Sequence, residues 1–182
     1  YNDADQDFIG CGQPTFNWGC NNTFNYKNFD FSFFVVGFHG FDIYNATHQM
    51  GYNLIKSQQM AGVTLMRELL NRWTPTNTNT DIPGFVKGGT ENKDFFSTRF
   101  VENGSFIKMK SITLGYTLPE ATCRSLGINN LRVYASVQNP FHITKYSGLD
   151  PEATMGSPLV QGVDWGAYPN SRNYLIGLNF SF

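Results

Sequence analysis

Charge is scarce in this chain. Asp, Glu, Lys and Arg make up 15% of its 182 residues, against roughly a quarter in ordinary soluble domains. They nearly cancel, leaving a net charge of −1, so no basic surface is available to recruit nucleic acid by counterion release. No apolar run approaches the roughly 20 residues of a membrane helix. The cysteines number three, Cys11, Cys20 and Cys123, an odd count without metal-ligand spacing. Cys20 falls on the apolar face of an expected strand, where packing is the expected role; a Cys11–Cys20 disulfide would need an oxidising compartment. Catalytic signatures are missing too. His39, His48 and His142 are scattered, with no Ser, Cys or carboxylate arrangement beside them that makes a triad or metal motif. Asp150 and Glu152 flank Pro151 in an expected loop, where turn hydrogen bonding is favoured over glycoside hydrolysis. We therefore expect no enzyme. No signal peptide is visible, and the first residues begin no helix or strand, so the chain reads as the tail of a longer polypeptide.

What the chain has is aromatics and glycine. Phe, Trp and Tyr reach 16%, with 17 Phe, and glycine stands at 18. Low charge with abundant aromatics, Gly and Asn is the composition that strands need when they alternate between lipid and a polar lumen. The last eleven residues carry the pattern most clearly. Tyr174, Ile176, Leu178, Phe180 and Phe182 lie on one side of an extended chain, and Asn173, Gly177, Asn179 and Ser181 on the other. A period of two is a strand with one apolar face, and about ten residues is the length of a tilted membrane-spanning strand.

Four more segments behave similarly. Over 15–26, Phe16, Trp18, Cys20, Phe24 and Tyr26 alternate with polar residues, interrupted by Asn22, and Lys27-Asn28 makes a tight reversal. Over 29–43, Phe29, Phe31, Phe33 and Val35 share a side, while the opposite side turns apolar at Phe34, Val36 and Phe38, which predicts packing inside a lumen. In 99–118 the phase of Ile107 and Met109 differs from that of Ile112, Leu114 and Tyr116, so a β-bulge is expected at Lys110-Ser111. Over 130–142, Leu131, Val133, Ala135 and Val137 oppose Arg132, Tyr134, Ser136 and Gln138. The connections alternate short and long, with long loops over 44–98 and 143–171, as expected where turns are periplasmic and loops extracellular. The 44–98 loop is expected to hold a helix through Met60, Val63, Leu65, Met66, Leu69 and Leu70, with Ser57 as its N-cap. Two readings stay open at this point: an antiparallel transmembrane barrel segment, and a soluble extracellular β-sandwich that binds carbohydrate through Trp165 and Tyr168.

Several motifs bear on that choice. They include Tyr26-Lys27-Asn28-Phe29-Asp30-Phe31-Ser32, Gly40-Phe41-Asp42-Ile43-Tyr44-Asn45 and Asn71-Arg72-Trp73-Thr74-Pro75 with Asp81-Ile82-Pro83. Phe100-Val101-Glu102-Asn103-Gly104-Ser105-Phe106 and Ile112-Thr113-Leu114-Gly115-Tyr116-Thr117-Leu118-Pro119 follow. Leu131-Arg132-Val133-Tyr134, Val137-Gln138-Asn139, Thr144-Lys145-Tyr146-Ser147-Gly148-Leu149-Asp150-Pro151 and Tyr168-Pro169 complete the set. In this order the motifs resemble the SusC/RagA family of TonB-linked outer-membrane proteins, over nearly the whole chain.

The resemblance implies an all-β fold: the last five or so strands of a 22-stranded barrel whose N-terminal plug this chain lacks. It also implies import of glycans or peptides across the outer membrane of Bacteroidota. Energy would come from TonB, ExbB and ExbD through the missing N-terminal part, and a SusD-like lipoprotein would cap the mouth. A porin-like barrel without TonB coupling is the other membrane reading. Family members often carry an EF-hand-like calcium loop just before the Ile-Gly of this region; only Asp5, at its last carboxylate position, carries over, and an ordinary acidic loop is the alternative. On the importer reading, Phe180 and Phe182 are expected to signal barrel insertion. Phe16, Trp18, Leu114, Tyr116, Leu131, Val133, Tyr174, Ile176 and Leu178 would face lipid, while Tyr146, Trp165 and Tyr168 would meet the lipoprotein or substrate.

Overall fold

The computed structural model describes residues 7–52, 65–84, 97–125, 127–155 and 160–181. Strands β1 (Phe16–Tyr26) and β2 (Phe29–His39) form a hairpin, followed by β3 (Asp42–Asn45), helix α1 (Ala46–Tyr52) and β4 (Val101–Asn103). Then come β5 (Phe106–Thr117), α2 (Glu120–Ser125), β6 (Asn130–Thr144), β7 (Val163–Asp164) and β8 (Asn173–Ser181). The long strands make one antiparallel sheet in the order β1-β2-β5-β6-β8, and β4-β3-β7 form a second, small sheet. The large sheet is an up-and-down meander, each strand pairing with the next long strand in the chain.

Register turns alternation along each strand into one apolar face, because directly opposed residues share a side. Tyr26, Phe29, Tyr116, Val133 and Leu178 line up across all five strands. The next line is Phe24, Phe31, Leu114, Ala135 and Ile176, and the one after it Asn22, Phe33, Ile112, Val137 and Tyr174. The phase slip in β5 is resolved at Lys110: the pairing with β2 and with β6 steps from Met109 to Ser111. Lys110 and Ser111 therefore follow one another on the inner side, and Ile112 returns to the outer one. On β6 the same irregularity takes up Asn139, at φ 48°, and Pro140, a residue with no N–H for the ladder. The Lys27-Asn28 reversal also relies on a left-handed residue, Lys27 at φ 53°, as the primed hairpin turns require.

Two strands are shorter than the alternation predicts. β2 stops at His39 rather than near Ile43, because Gly40 takes φ +72°, a conformation that favours glycine. The chain there leaves the wall, and Asp42–Asn45 joins the small sheet instead. Likewise Val101–Asn103 is a strand of that sheet and the wall strand begins at Phe106. Of the helix expected through Met60–Leu70, Ser57, Met60 and Val63 lie outside the described residues; the described remainder is one 3-10 turn, Arg67–Asn71, burying Leu69. Helix α2, begun just past Pro119, lies in the connection between β5 and β6.

The apolar inner side of β2 has its partner in the chain's own loops. Phe38 stacks on Phe106 at 5.1 Å, and Phe41, Ile43, Phe106 and Tyr146 form a buried cluster. A second cluster joins Tyr44, Ala46 and Phe100. Both involve segments that fold across the inner face at the end opposite the Lys27-Asn28 turn. Gly12 is part of this closure: a Cβ there would overlap the Gln161 carbonyl oxygen and lie 2.9 Å from the Gly162 Cα. Gly12→Ala is thus expected to destabilise the intact protein by about 1–3 kcal/mol, read as a lowered thermal transition; a transition equal to wild type would refute the packing account.

Candidate functional site

The sheet is a wall with two chemically distinct faces. On the outer face the aligned residues stay uncovered: Ile176 is 86% and Leu178 60% exposed. Val133 and Phe180 are exposed as well, with Leu131 half-buried between strands. A soluble sandwich would bury this face under a second sheet, and the only other sheet among the described residues pairs β4, β3 and β7 elsewhere. Aromatics gather at both ends of the face. Tyr116 packs on Phe29 at 4.7 Å near the short turn. At the far end Phe16 stacks on His39, and the Trp18 indole Nε1 donates to His39 Nε2 at 3.2 Å.

The inner face is polar over its lower half. Arg132 holds Asp30 through two bonds, Nε to Oδ1 at 2.8 Å and Nη2 to Oδ2 at 2.5 Å. The guanidinium also lies 5.0 Å from the Tyr134 ring centroid. Gly115 leaves room for this pair, since a Cβ there would collide with both partners. Higher up, the Thr113 and Ser136 hydroxyls share a hydrogen bond of 2.8 Å, and Asn173 donates to Gln138 at 3.3 Å. Every buried side-chain polar atom among the described residues has a partner.

At the upper end the connection between β6 and β8 is fastened to the wall by ions. The side chain of Lys108 is 2% exposed and that of its partner Asp150 3%, with Nζ 2.8 Å from Asp150 Oδ2 and 2.7 Å from Glu152 Oε2. Lys110, brought inward by the bulge, pairs with Glu152 Oε1. Asn170 closes the set, donating to Asp150 and Glu152. Two positive and two negative groups thus neutralise one another in a low-dielectric setting, where an unpaired charge would be costly. Asp150 and Glu152 do form a local turn, the Glu152 amide donating to Asp150 Oδ1. Their larger role, capture of lysines 42 residues away, left no signal in sequence spacing.

A second tie lies beside it. Glu102 accepts the Ser147 amide at 2.8 Å and hydroxyl at 2.7 Å, and the Asn45 side chain at 2.9 Å. His48 stands 3.8 Å from Glu102 and 3.6 Å from Glu68. The third tie is Tyr146, whose hydroxyl donates to Asp164 at 2.5 Å. Burial, reinforced by that carboxylate, pushes the phenol well above its ordinary range, so it remains a neutral donor. Asp164 Oδ1 then accepts the Gly166 and Ala167 amides at 2.8 and 2.9 Å.

These ties separate the three aromatic residues expected to make external contacts. Tyr146 is buried and acts within the loop, whereas Trp165 is 57% and Tyr168 90% exposed. Phe16, Trp18, Leu114, Tyr116, Leu131, Val133, Tyr174, Ile176 and Leu178 all fall on the outer face by register. Phe180 ends that face, while Phe182 and Asp5 lie outside the described residues. His142, at the expected end of its strand, sits within β6, which runs on to Thr144. Cys11 and Cys20 are free thiols, so the disulfide considered for them is not formed.

The Asp150 carboxylate has a testable titration. Burial alone would raise its pKa, but Lys108 and the Asn170 and Glu152 amides bonded to it hold it below its ordinary value. A depressed folded pKa contributes stability that is present above the unfolded value, about 3.9, and lost as pH falls below it. Exchange protection of the Asn170 amide, corrected for intrinsic rate, is expected to hold from neutral pH down to about 4 and to fall only below that. Loss of protection already at pH 6 would contradict this.

No protein-family model matches this chain. It is 37% identical over 185 residues to TonB-dependent receptor P3 of Formosa agariphila, a match covering 98% of this chain and 17% of that protein. It is 33% identical over 166 residues to TonB-dependent receptor SusC of Bacteroides thetaiotaomicron, covering 90% of this chain and 15% of SusC. The chain thus spans less than a fifth of the length of these curated relatives. The RagAB peptide importer in its open-open state matches with a TM-score of 0.75 at 29% identity, over 93% of this chain and 17% of that one. Its closed-closed state matches with 0.76 at 28% identity, over 94% and 18%. Receptors and importers, not enzymes, are what this sequence resembles along nearly its whole length. The chain belongs to the SusC/RagA family of TonB-dependent outer-membrane proteins, as a segment of their antiparallel β-barrel.

Proposed function

We propose that this chain is part of the C-terminal barrel wall and extracellular rim of an outer-membrane importer, driven by TonB with ExbB and ExbD and paired with a SusD-like lipoprotein. Its cargo is an oligosaccharide or a peptide. The observation that carries this reading is the continuous apolar face across five strands, exposed on one side and opposed by a polar face on the other. From the Tyr116 line to the Ile107 line the ladder advances eight steps, Phe29 to Gly37 on β2, about 26 Å at roughly 3.3 Å per residue. With the strand tilt of such barrels that is about 20 Å of height, most of the roughly 25 Å apolar band of outer-membrane proteins. Tyr26, Phe29 and Tyr116 at one end and Phe16 and Trp18 at the other are where aromatic girdles belong. Phe180 and the terminal Phe182 are assigned to barrel insertion, and Trp165 and Tyr168 to contact at the mouth. The calcium loop remains tied to Asp5 alone.

The reading is tested in cells carrying the full-length gene. The protein should fractionate with the outer membrane and migrate faster on gels before boiling than after. Uptake of fluorescent peptides or oligosaccharides should stop when a protonophore collapses the inner-membrane gradient; uptake that continues unchanged would place the barrel among ungated pores. For the wall, Ile176→Arg is expected to cost about 2–4 kcal/mol if the residue lies near the bilayer midplane. The readout is the folded, heat-modifiable fraction, and assembly at the wild-type level would remove Ile176 from the lipid face.

A further inference from the structure

We propose that residues 145–155 and 160–171 form the stationary side of the extracellular mouth, with Lys108 as the positioning residue that holds them to the wall. This rests on the barrel reading above and adds a mechanical role to it. Loops that move in gating come from the weakly tied end of a structure's stability range, and this one is tied to several separate parts of the chain. Ser147 is held by Glu102 from β4, and Asp150 and Glu152 by Lys108 and Lys110 from β5. The Gly162 carbonyl accepts the Tyr44 amide at 2.7 Å, and β7 pairs in parallel with β3. The Ser171 carbonyl accepts from Asn139 at 3.1 Å on β6.

Among these ties the Lys108 one is buried on both partners, so lifting the loop would strand a cation in the wall and a carboxylate in the loop. The wall side cannot follow, because β5 is hydrogen-bonded along its length to β2 and to β6. The loop is therefore either seated or fully detached, with no graded displacement between. What the seated loop presents is Trp165 and Tyr168, beside the turn that Asp164 closes over Gly166 and Ala167. A moving lid or an arriving cargo would meet a fixed aromatic pair.

The test uses the full-length receptor in detergent, followed by hydrogen-exchange mass spectrometry and by a nitroxide at position 168 (Tyr168→Cys, with the native cysteines replaced by serine). With Lys108 intact, loop peptides should be protected and the probe, on a side chain that is itself exposed, should show a single spectral component. In Lys108→Met, peptides over 146–155 and 160–171 should exchange at least tenfold faster and the spectrum should gain a mobile component, while strand peptides over 106–117 and 130–141 stay unchanged. Asp150→Asn, which leaves Lys108 bonded to Glu152, should shift both readouts in the same direction by less, and it carries the test if Lys108→Met does not assemble. Wild-type exchange and an unaltered spectrum in the assembled variant would overturn the proposal, as would unprotected loop peptides in the parent protein. Neither readout involves uptake, so a receptor that fails to import cargo would refute the functional reading without touching this one.

Discussion

Each of the five long strands must keep its apolar residues on the same side as those of its neighbours, and this phase condition governs the whole wall. Alternation within a strand is local, but a sheet has one apolar face only if every register agrees. Lys110 shows what agreement requires. If Lys110 kept strict alternation instead of bulging, Ile107 and Met109 would point outward while Ile112, Leu114 and Tyr116 pointed inward, and the lines through β2 and β6 would break. The bulge restores the phase and turns two consecutive residues, Lys110 and Ser111, toward the inside.

That local correction also serves the upper end of the inner face. Lys108 and Lys110 project inward one above the other, spaced to receive Asp150 and Glu152 from the connection between β6 and β8. The polar anchor and the apolar cluster around Phe106 are contributed by the same strand. Burial of Phe106 and Tyr146 excludes water, which strengthens the ion pairs, and the pairs keep the loop seated over the cluster. The lower inner face has no such cover from this chain, and its Asp30–Arg132 pair and hydroxyl ladder leave it polar. One sheet thereby offers an apolar outside, a polar lower inside and a roofed upper inside.

Much of the wall was legible in advance because period-two patterning survives in any register: the strand cores, the tight reversal at Lys27-Asn28 and the slip near Lys110 were all visible. The strand ends were less so. Ile43 and Val101 alternate as well as any wall residue, yet Gly40 and Gly104 mark places where the chain leaves the large sheet for a small one. Two chains of identical alternation can pair in different sheets, and only long-range contacts choose between them. Trp165 and Tyr168 were recognisable as exposed loop aromatics, but Tyr146 was grouped with them because nothing near it in sequence announces its bond to Asp164.

By itself the sequence determined the class of the wall: sparse charge, abundant aromatics and alternating faces admit a half-apolar strand and no membrane helix. These are properties of composition and nearest neighbours, which the chain carries into any fold. Only the tertiary structure decided which residues close the upper end. Lys108 and Asp150 are 42 residues apart, and neither is remarkable in its local setting. Their pairing exists because two registers and a bulge bring them together where water is excluded, and a buried charge is tolerated there only opposite its partner.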